Sequence, residues 1–112
     1  MKKSLLNLLI QRDKYCWHCG TTLDLVPHHR KNRGMGGRKS LDVPANLILV
    51  CADYNWLMEA DAKVLITALR LKHKIRQTDS LFEPVFDNVT HQWFVLDNEG
   101  SKNALDQRET QF

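Results

Sequence analysis

Hydrophobic residues recur at helical spacing in two parts of this chain of 112 residues. In residues 3–12, the leucines and the isoleucine are spaced as in a short amphipathic helix at the N-terminus. In residues 52–76, no glycine or proline interrupts a similar pattern, which predicts either one long helix or two abutting helices. Asp61 lies where the second of two helices would begin, and aspartate is a favoured N-cap residue.

Shorter apolar segments predict strands. Residues 23–26 and residues 46–50 have the length and composition of short strands, the second of them buried. Residues 85–96 look like two strands joined by a turn at Asp87 and Asn88, which predicts a C-terminal β-hairpin.

The connecting segments contain turn-forming residues. We expect a tight turn at residues 15–20 and an irregular loop at residues 30–44, which hold three glycines and a proline. Residues 101–112 are polar and predict a flexible tail. The pattern as a whole predicts a single α+β domain over residues 1–112. Its parts are an N-terminal helix, a strand pair with a long helix after it, and a C-terminal hairpin.

Composition adds that this domain is folded and not membrane-spanning. Apolar residues make up 43% of the chain, which favours a hydrophobic core over disorder. No segment approaches the roughly 18 apolar residues of a membrane span, and the N-terminal residues lack the cleavage site of a signal peptide. Three cysteines are an odd number and do not suit a disulfide framework, so we expect a reducing cytoplasm.

Charge is distributed unevenly along the chain. Residues 1–78 carry 14 Lys and Arg against 6 Asp and Glu, a net charge of +8, whereas residues 79–112 carry 2 against 7, a net charge of −5. A basic body with an acidic C-terminal third fits a protein that binds nucleic acid. Small proteins also show such imbalance by chance, so charge alone leaves the partner open.

Two histidines and two asparagines carry the strongest chemical signal. His28 and His29 are adjacent at the end of the first predicted strand, Asn46 begins the second, and Asn55 follows nine residues later. Adjacent residues of an extended segment point to opposite sides, so the two imidazoles cannot easily share one role. One can bind a divalent ion and the other can activate water, which together are the requirements for cleaving a phosphodiester.

The sequence around these residues resembles that of the HNH endonuclease family, and in particular that of the small HNH proteins of tailed bacteriophages. It reads His-His-Arg, then Arg-Gly-Met-Gly-Gly, then Pro-Ala-Asn-Leu, then Cys, and the likeness covers roughly residues 15–100, with the core motif at about 15–60. The resemblance implies a ββα-metal core, made of a strand, a loop, a second strand and a helix. It also implies the cytoplasm of a bacterial host cell as the location.

The resemblance assigns roles to the four residues. It implies that His28 is a metal ligand and that His29 is the general base. Asn46 would tie the loop to the strand pair and would orient the base through amide hydrogen bonds. Asn55 takes the last signature position, which is usually a histidine, so the motif is the H-N-N variant of the family.

The asparagine at position 55 bears on the choice of metal. An amide carbonyl is a hard oxygen ligand, so the substitution favours Mg²⁺ or Mn²⁺ over Zn²⁺. Glu59 lies one helical turn further and could supply another oxygen, although a solvated carboxylate on the helix face is the favoured interpretation. Asn55 could also mark a degraded site.

The three cysteines raise the question of a structural zinc. Cys16 and Cys19 form a Cys-X-X-Cys pair, and many family members carry a second pair that Cys51 begins here. Tyr54 stands where the fourth thiolate would be, and structural zinc needs four ligands. The alternative is a zinc-free turn in which the cysteines are small buried residues.

Five cations without an interleaved acid follow the histidines: Arg30, Lys31, Arg33, Arg38 and Lys39. We expect them to contact DNA phosphates, with a solvated loop as the alternative. A second basic cluster in residues 70–76 is more typical of a solvated helix end, where cations suit the helix dipole, than of a DNA contact. The tryptophans, including Trp56, and Phe94 are expected in the core.

These observations predict a metal-dependent HNH endonuclease or nickase that cuts DNA with low sequence specificity and uses one divalent cation. DNA is the expected partner, with a homodimer or another phage protein as further possibilities. Two alternatives stay open. One is a catalytically weak, DNA-binding accessory protein of a phage DNA-processing or packaging complex. The other is a small zinc-binding interaction module.

Overall fold

The computed structural model describes residues 1–32 and 39–105. Its helices and strands, in chain order, are α1 (Lys3–Asp13), β1 (Leu25–His29), β2 (Leu47–Cys51), α2 (Ala52–Ala60), α3 (Ala62–Arg70), β3 (Val85–Asp87), β4 (Gln92–Leu96) and β5 (Lys102–Ala104). Two single turns of 3₁₀ helix, Lys39–Leu41 and Pro44–Asn46, precede β2. The described residues therefore form an α+β fold with three α-helices and two small antiparallel sheets, which confirms the predicted class.

The first sheet pairs β1 with β2, and His28 lies opposite Ile48. Pro27 lies opposite Leu49, whose backbone N–H and C=O bind the Asp13 carboxylate and the Trp17 N–H. Leu49 therefore directs its hydrogen bonds away from β1, so a proline at this position costs the sheet no hydrogen bond. The C-terminal end of α1 and the turn at Trp17 protect the outer edge of β2.

Helix α2 starts directly after β2, and the predicted long helix is wrong. The chain breaks at Asp61, which has extended backbone and accepts hydrogen bonds from the N–H groups of Lys63 and Val64. Aspartate at an N-cap stabilises the start of a helix, so a second helix, α3, begins here. The alternative of two abutting helices is the one that forms.

The second sheet contains the predicted hairpin and one more strand. Strand β3 pairs with β4, as predicted, and β4 also pairs with β5. The predicted flexible tail is therefore wrong at residues 102–104, which form β5. The rest of that prediction, residues 106–112, lies outside the described residues.

The main hydrophobic core lies between the first sheet, the two later helices and the second sheet. It contains Trp17, Ile48, Met58 and Phe94 among its buried residues. Trp56 is 66% exposed, so its predicted place in the core is wrong. Within the described residues, no helix has the length and apolar character needed to cross a membrane.

Candidate functional site

His28 is held in the interior by the segment that follows α3. Its Nε2 atom lies 3.0 Å from the backbone oxygen of His73. A carbonyl oxygen only accepts hydrogen bonds, so Nε2 carries the proton and donates it. The neutral imidazole therefore has its free lone pair on Nδ1. Burial, followed by the nearby charge of Lys74, lowers the pKa of His28 to about 3, so the ring is neutral at physiological pH.

The lone pair of His28 faces Asn55. The Nδ1 atom of His28 lies 3.2 Å from the Oδ1 atom of Asn55, which projects from α2. The Asn55 amide can turn either end toward the ring: its Nδ2–H₂ group would donate an ordinary hydrogen bond to Nδ1, whereas its oxygen and Nδ1 together offer two ligand atoms to a cation. Adjacent ligands of an octahedral Mg²⁺ are about 3 Å apart, since each lies about 2.1 Å from the ion. The donor set and its spacing therefore fit a hard divalent cation.

His29 points to a different partner. Its Nε2 atom lies 2.6 Å from the Oδ1 atom of Asp42, and both side chains are partly exposed. Because a carboxylate accepts, Nε2–H donates, and the neutral form of the ring then has its lone pair on Nδ1. An imidazole oriented by a carboxylate, with its other nitrogen unprotonated, has the form of a general base.

Asn46 fastens both ends of the basic loop. It is fully buried, its Oδ1 accepts from the backbone N–H of Lys31, and its Nδ2 donates to the backbone oxygens of Lys31 and Leu41. The role of tying the loop to the strands therefore fits the contacts. The predicted amide contact with the base does not form, because all three bonds go to the backbone and Asp42 holds the His29 ring.

Glu59 is not directed at the His28–Asn55 pair. Its side chain is 69% exposed, and Oε1 lies 3.2 Å from the Nζ atom of Lys74. In the described residues, this contact with Lys74 is its only ion pair, which favours the solvated-carboxylate interpretation over a direct ligand.

Arg30 is a structural residue, and its predicted contact with DNA is wrong. It is 0% exposed, and its guanidinium donates to the backbone oxygens of Lys72, Ala45, Leu81, Glu83 and Pro84. Burial lowers the pKa of Arg30 to about 10, so the group keeps its charge at neutral pH. It joins β1 to the segments before β2 and before β3, where no phosphate can reach it.

The remaining loop cations are only partly described. Lys31 is partly buried, and its ammonium donates to the backbone oxygen of Asp79. Arg33 and Arg38 lie outside the described residues, and the structure describes the backbone of Lys39 but not its side chain. The DNA contacts of these four residues stay predictions.

A second candidate metal site includes Cys51, four residues before Asn55. The sulfur atoms of Cys16, Cys19 and Cys51 lie within 4.8 Å of one another, and those of Cys19 and Cys51 are 3.9 Å apart. Ligands of a tetrahedral zinc–thiolate site are about 3.8 Å apart, from a Zn–S distance of about 2.3 Å. Among the described residues this is the one cluster of three His, Cys, Asp or Glu donors, and it could hold a metal ion.

The environment of the three cysteines, which we call the cysteine cluster, is open on one side. Cys19 is exposed and lines a cavity of about 370 Å³ together with Cys51 and Asp53. A backbone hydrogen bond at Thr21 lowers the pKa of Cys19, whereas burial raises that of Cys51 to about 11. An exposed thiol with a lowered pKa suits a metal ligand, because the thiolate is the ligating form.

Tyr54, which stands where a fourth cysteine would be, donates its backbone N–H to the Sγ atom of Cys51, but its hydroxyl binds elsewhere. Its hydroxyl donates to the Nδ1 atom of His73 at 2.7 Å, and its ring stacks on His18 at 4.0 Å. His73 in turn donates from Nε2 to the backbone oxygen of Phe86. Burial raises the pKa of Tyr54, so the phenol stays protonated. Tyr54 thus positions His73, whose carbonyl positions His28.

Sequence reasoning missed four residues around the site: Asn32, Asp42, His73 and Lys74. His73 and Lys74 lie in a basic segment that was expected to be a helix, but α3 ends at Arg70 and Lys72 has a left-handed backbone with φ of 61°. The turn brings residues 73–75 against β1. An acid at position 42 within the basic loop was the only signal for Asp42.

Comparison with protein-family models, with curated proteins and with solved structures finds no match to this chain.

Proposed function

We propose that this chain is a metal-dependent endonuclease of the HNH type that hydrolyses DNA phosphodiester bonds. One observation carries the proposal: the Nδ1 lone pair of His28 and the Oδ1 atom of Asn55 face each other at 3.2 Å beside the adjacent histidine. An imidazole nitrogen and an amide oxygen at this spacing can bind one divalent ion together, which is what supports a cation site here.

The divalent ion in this proposal is Mg²⁺ or Mn²⁺. Both ions prefer oxygen ligands, and Mg²⁺ commonly binds to one or two protein groups while water and phosphate oxygens complete its shell. Two protein ligands are therefore sufficient. When bound, such an ion stabilises the negative charge that develops on the attacked phosphate.

His29 supplies the base in the proposed reaction. Asp42 accepts the Nε2 proton and fixes the tautomer, so that Nδ1 can take a proton from the attacking water. His28 cannot do this, because Nδ1 faces Asn55 and Nε2 is used by His73. The two adjacent histidines thus take the separate roles that their alternation along β1 implies.

DNA is the proposed substrate because of the basic character of residues 1–78 and the loop that Asn46 fastens. Phosphate contacts carry no sequence information, and no set of side chains suited to base readout is evident in the described residues, so specificity should be low. A single site reaches one strand, which makes nicking the expected product.

A second candidate function has an observation in its favour. Glu59 is paired with Lys74 and adds no ligand, so the pair at His28 offers only two protein ligands to an ion. A weak site of this kind fits a DNA-binding accessory protein of a phage DNA-processing or packaging complex. That protein would bind DNA without cutting it.

The cysteine cluster is proposed to bind structural Zn²⁺. Three thiols at zinc-like spacing supply three of the four ligands of a tetrahedral site, and the adjoining cavity leaves room for a water as the fourth. Zinc there would join the turn at Cys16 to the start of α2. This assigns it a role in folding and leaves catalysis to the other site.

The experiment that tests the nuclease uses supercoiled plasmid with Mg²⁺, Mn²⁺ or EDTA. Wild-type protein is compared with His29→Asn and with His91→Asn, a matched change at an exposed turn residue far along the chain. We expect metal-dependent nicking by the wild type and by His91→Asn, and none by His29→Asn. Plasmid that is bound but stays supercoiled in every metal would favour the accessory protein.

A further inference from the structure

Lys74 is a charged residue in an unusual position. It is only 8% exposed, although lysine is among the residues least often buried. The turn after α3 places it there, because His73 accepts a hydrogen bond from His28 and Ile75 donates one to the backbone oxygen of Arg30. Lys74 lies between these two anchors, directly beside the end of β1 that carries both histidines.

The ammonium group is held by two neighbours. Its Nζ atom lies 2.6 Å from the Oδ1 atom of Asn32 and 3.2 Å from the Oε1 atom of Glu59. Asn32 is at the start of the basic loop, and Glu59 is one helical turn beyond Asn55. An ammonium group has three donors, and the contacts within the described residues use two of them. The third donor can serve another acceptor.

Lys74 lies close to both proposed metal ligands. It directly follows His73, whose backbone oxygen lies 3.0 Å from the Nε2 atom of His28, and its ammonium contacts Glu59, one helical turn beyond Asn55. A fixed positive charge so close to a cation site should weaken binding of the ion alone. It becomes favourable once a phosphate brings negative charge to the same place. The arrangement therefore suits a ternary site that contains phosphate as well as metal.

The geometry points to Lys74 as a residue that contacts the substrate: we propose that its ammonium binds a non-bridging oxygen of the scissile phosphodiester. The proposal rests on the nuclease function proposed above. Glu59 is then a positioning residue for Lys74. The Glu59 side chain is 69% exposed, so solvent screens its half of the ion pair and an incoming phosphate can replace it.

The test compares Lys74→Met and Lys74→Arg with a control, Lys72→Met. Lys72 lies two residues away but pairs with Glu83 at 3.9 Å, so its removal takes away the same charge from a different place. Two quantities are measured: the nicking rate at saturating Mn²⁺, and the affinity of the DNA-free protein for Mn²⁺ by calorimetry.

We expect Lys74→Met to nick about 100-fold more slowly, the loss typical of one donor to a developing charge. Its affinity for Mn²⁺ should be equal to or higher than that of the wild type, because a repelling charge is gone. Lys74→Arg should keep most of the wild-type nicking rate. The control Lys72→Met should nick within about twofold of the wild-type rate. A residue that only supports the fold would not improve metal binding.

Two results would overturn the inference while leaving the nuclease in place. One is a nicking rate of Lys74→Met equal to that of the wild type. The other is a loss of Mn²⁺ affinity in that variant, which would mean that Lys74 acts by shaping the metal site. If the wild type itself fails to nick, the proposed function fails and the role of Lys74 fails with it. The nicking rate of the wild type, measured in the same experiment, separates these cases.

Discussion

The two candidate metal sites share one short segment but differ in nearly every physical property. Cys51 at the start of α2 belongs to the cysteine cluster, and Asn55 one turn later faces His28. The cluster offers three soft sulfur donors at zinc-like spacing. The other site offers a neutral imidazole and an amide oxygen, which suit a hard ion that keeps waters. One turn of helix thus separates a site suited to folding from one suited to chemistry.

Tyr54 connects the two candidate metal sites. A cysteine there would complete the zinc ligands, whereas the tyrosine donates to His73, whose carbonyl holds His28 in the correct tautomer. Partners that orient a ligating histidine affect the site strongly. The substitution therefore removes a ligand from one site and supports the other.

The largest expected effect concerns zinc and stability. Cys19→Ser changes an exposed residue, so it should alter the metal-free protein little. Wild-type protein should gain about 4 kcal/mol from zinc at 1,000 times its dissociation constant, and Tm should rise by more than about 10 °C. Differential scanning calorimetry with EDTA or Zn²⁺ measures this. An equal rise in Cys19→Ser would exclude the cysteine cluster as the site.

The next effect concerns cleavage. Asn55→Ala should reduce metal-dependent nicking by at least about 100-fold, since even residues that only orient metal ligands contribute 10–100-fold. The zinc-dependent rise in Tm should remain, which separates the two sites. Undiminished nicking by Asn55→Ala would remove this residue from the proposed centre. Asn103→Ala, at an exposed position of β5, is the control.

Acid should destabilise the metal-free protein before its carboxylates titrate. Burial lowers the pKa of His73 to about 4, whereas the unfolded chain has the ordinary value of about 6.5. The unfolded state therefore binds more protons below pH 6.5. Stability is fully present above that pH and falls as the pH drops toward 4, by up to about 1.4 kcal/mol per pH unit for each such histidine.

Urea unfolding between pH 7 and pH 5 measures this slope. His73→Asn should have a shallower dependence, and His91→Asn should match the wild type. A free energy of unfolding that stays constant from pH 6.5 to pH 5 would contradict the buried, neutral state of His73 and His28.

The smallest effect tests the hydrogen bond from Tyr54 to His73, which connects the two candidate metal sites. Tyr54→Phe removes the hydroxyl and leaves the buried Nδ1 of His73 without its donor, which should cost about 1–2 kcal/mol of stability. Zinc affinity should not change, because Tyr54 is not a ligand. Weaker zinc binding in Tyr54→Phe, measured by competition with a chelator, would instead place the phenol oxygen on the metal.

Local patterns sufficed for much of the fold. Periodicity predicted α1, turn residues predicted the hairpin of β3 and β4, and the N-cap preference of aspartate marked Asp61 as a helix start. Strand β5 was missed because residues 102–104, Lys-Asn-Ala, lack the β-branched and aromatic residues typical of strands, although β5 pairs with β4 across the short turn at residues 97–101.

The site was predictable only where the motif named its residues. His28 and Asn55 come together as the resemblance implied, but the same basic run contains Arg30, which is buried, and Lys31, which binds a backbone oxygen. Charge in a sequence does not distinguish a cation that binds DNA from one that joins loops. Asp42 and Lys74 reach the site through turns whose course no local pattern encodes.

The most direct test of the account is a crystal structure of His29→Asn with duplex DNA and Mn²⁺, since the substitution should stop cleavage but keep the ligands. We predict an anomalous peak within about 2.3 Å of both His28 Nδ1 and Asn55 Oδ1, with a phosphate oxygen completing the contact. Bound DNA with no manganese at that position, or with the Asn55 amide nitrogen turned toward His28, would contradict the proposed metal centre.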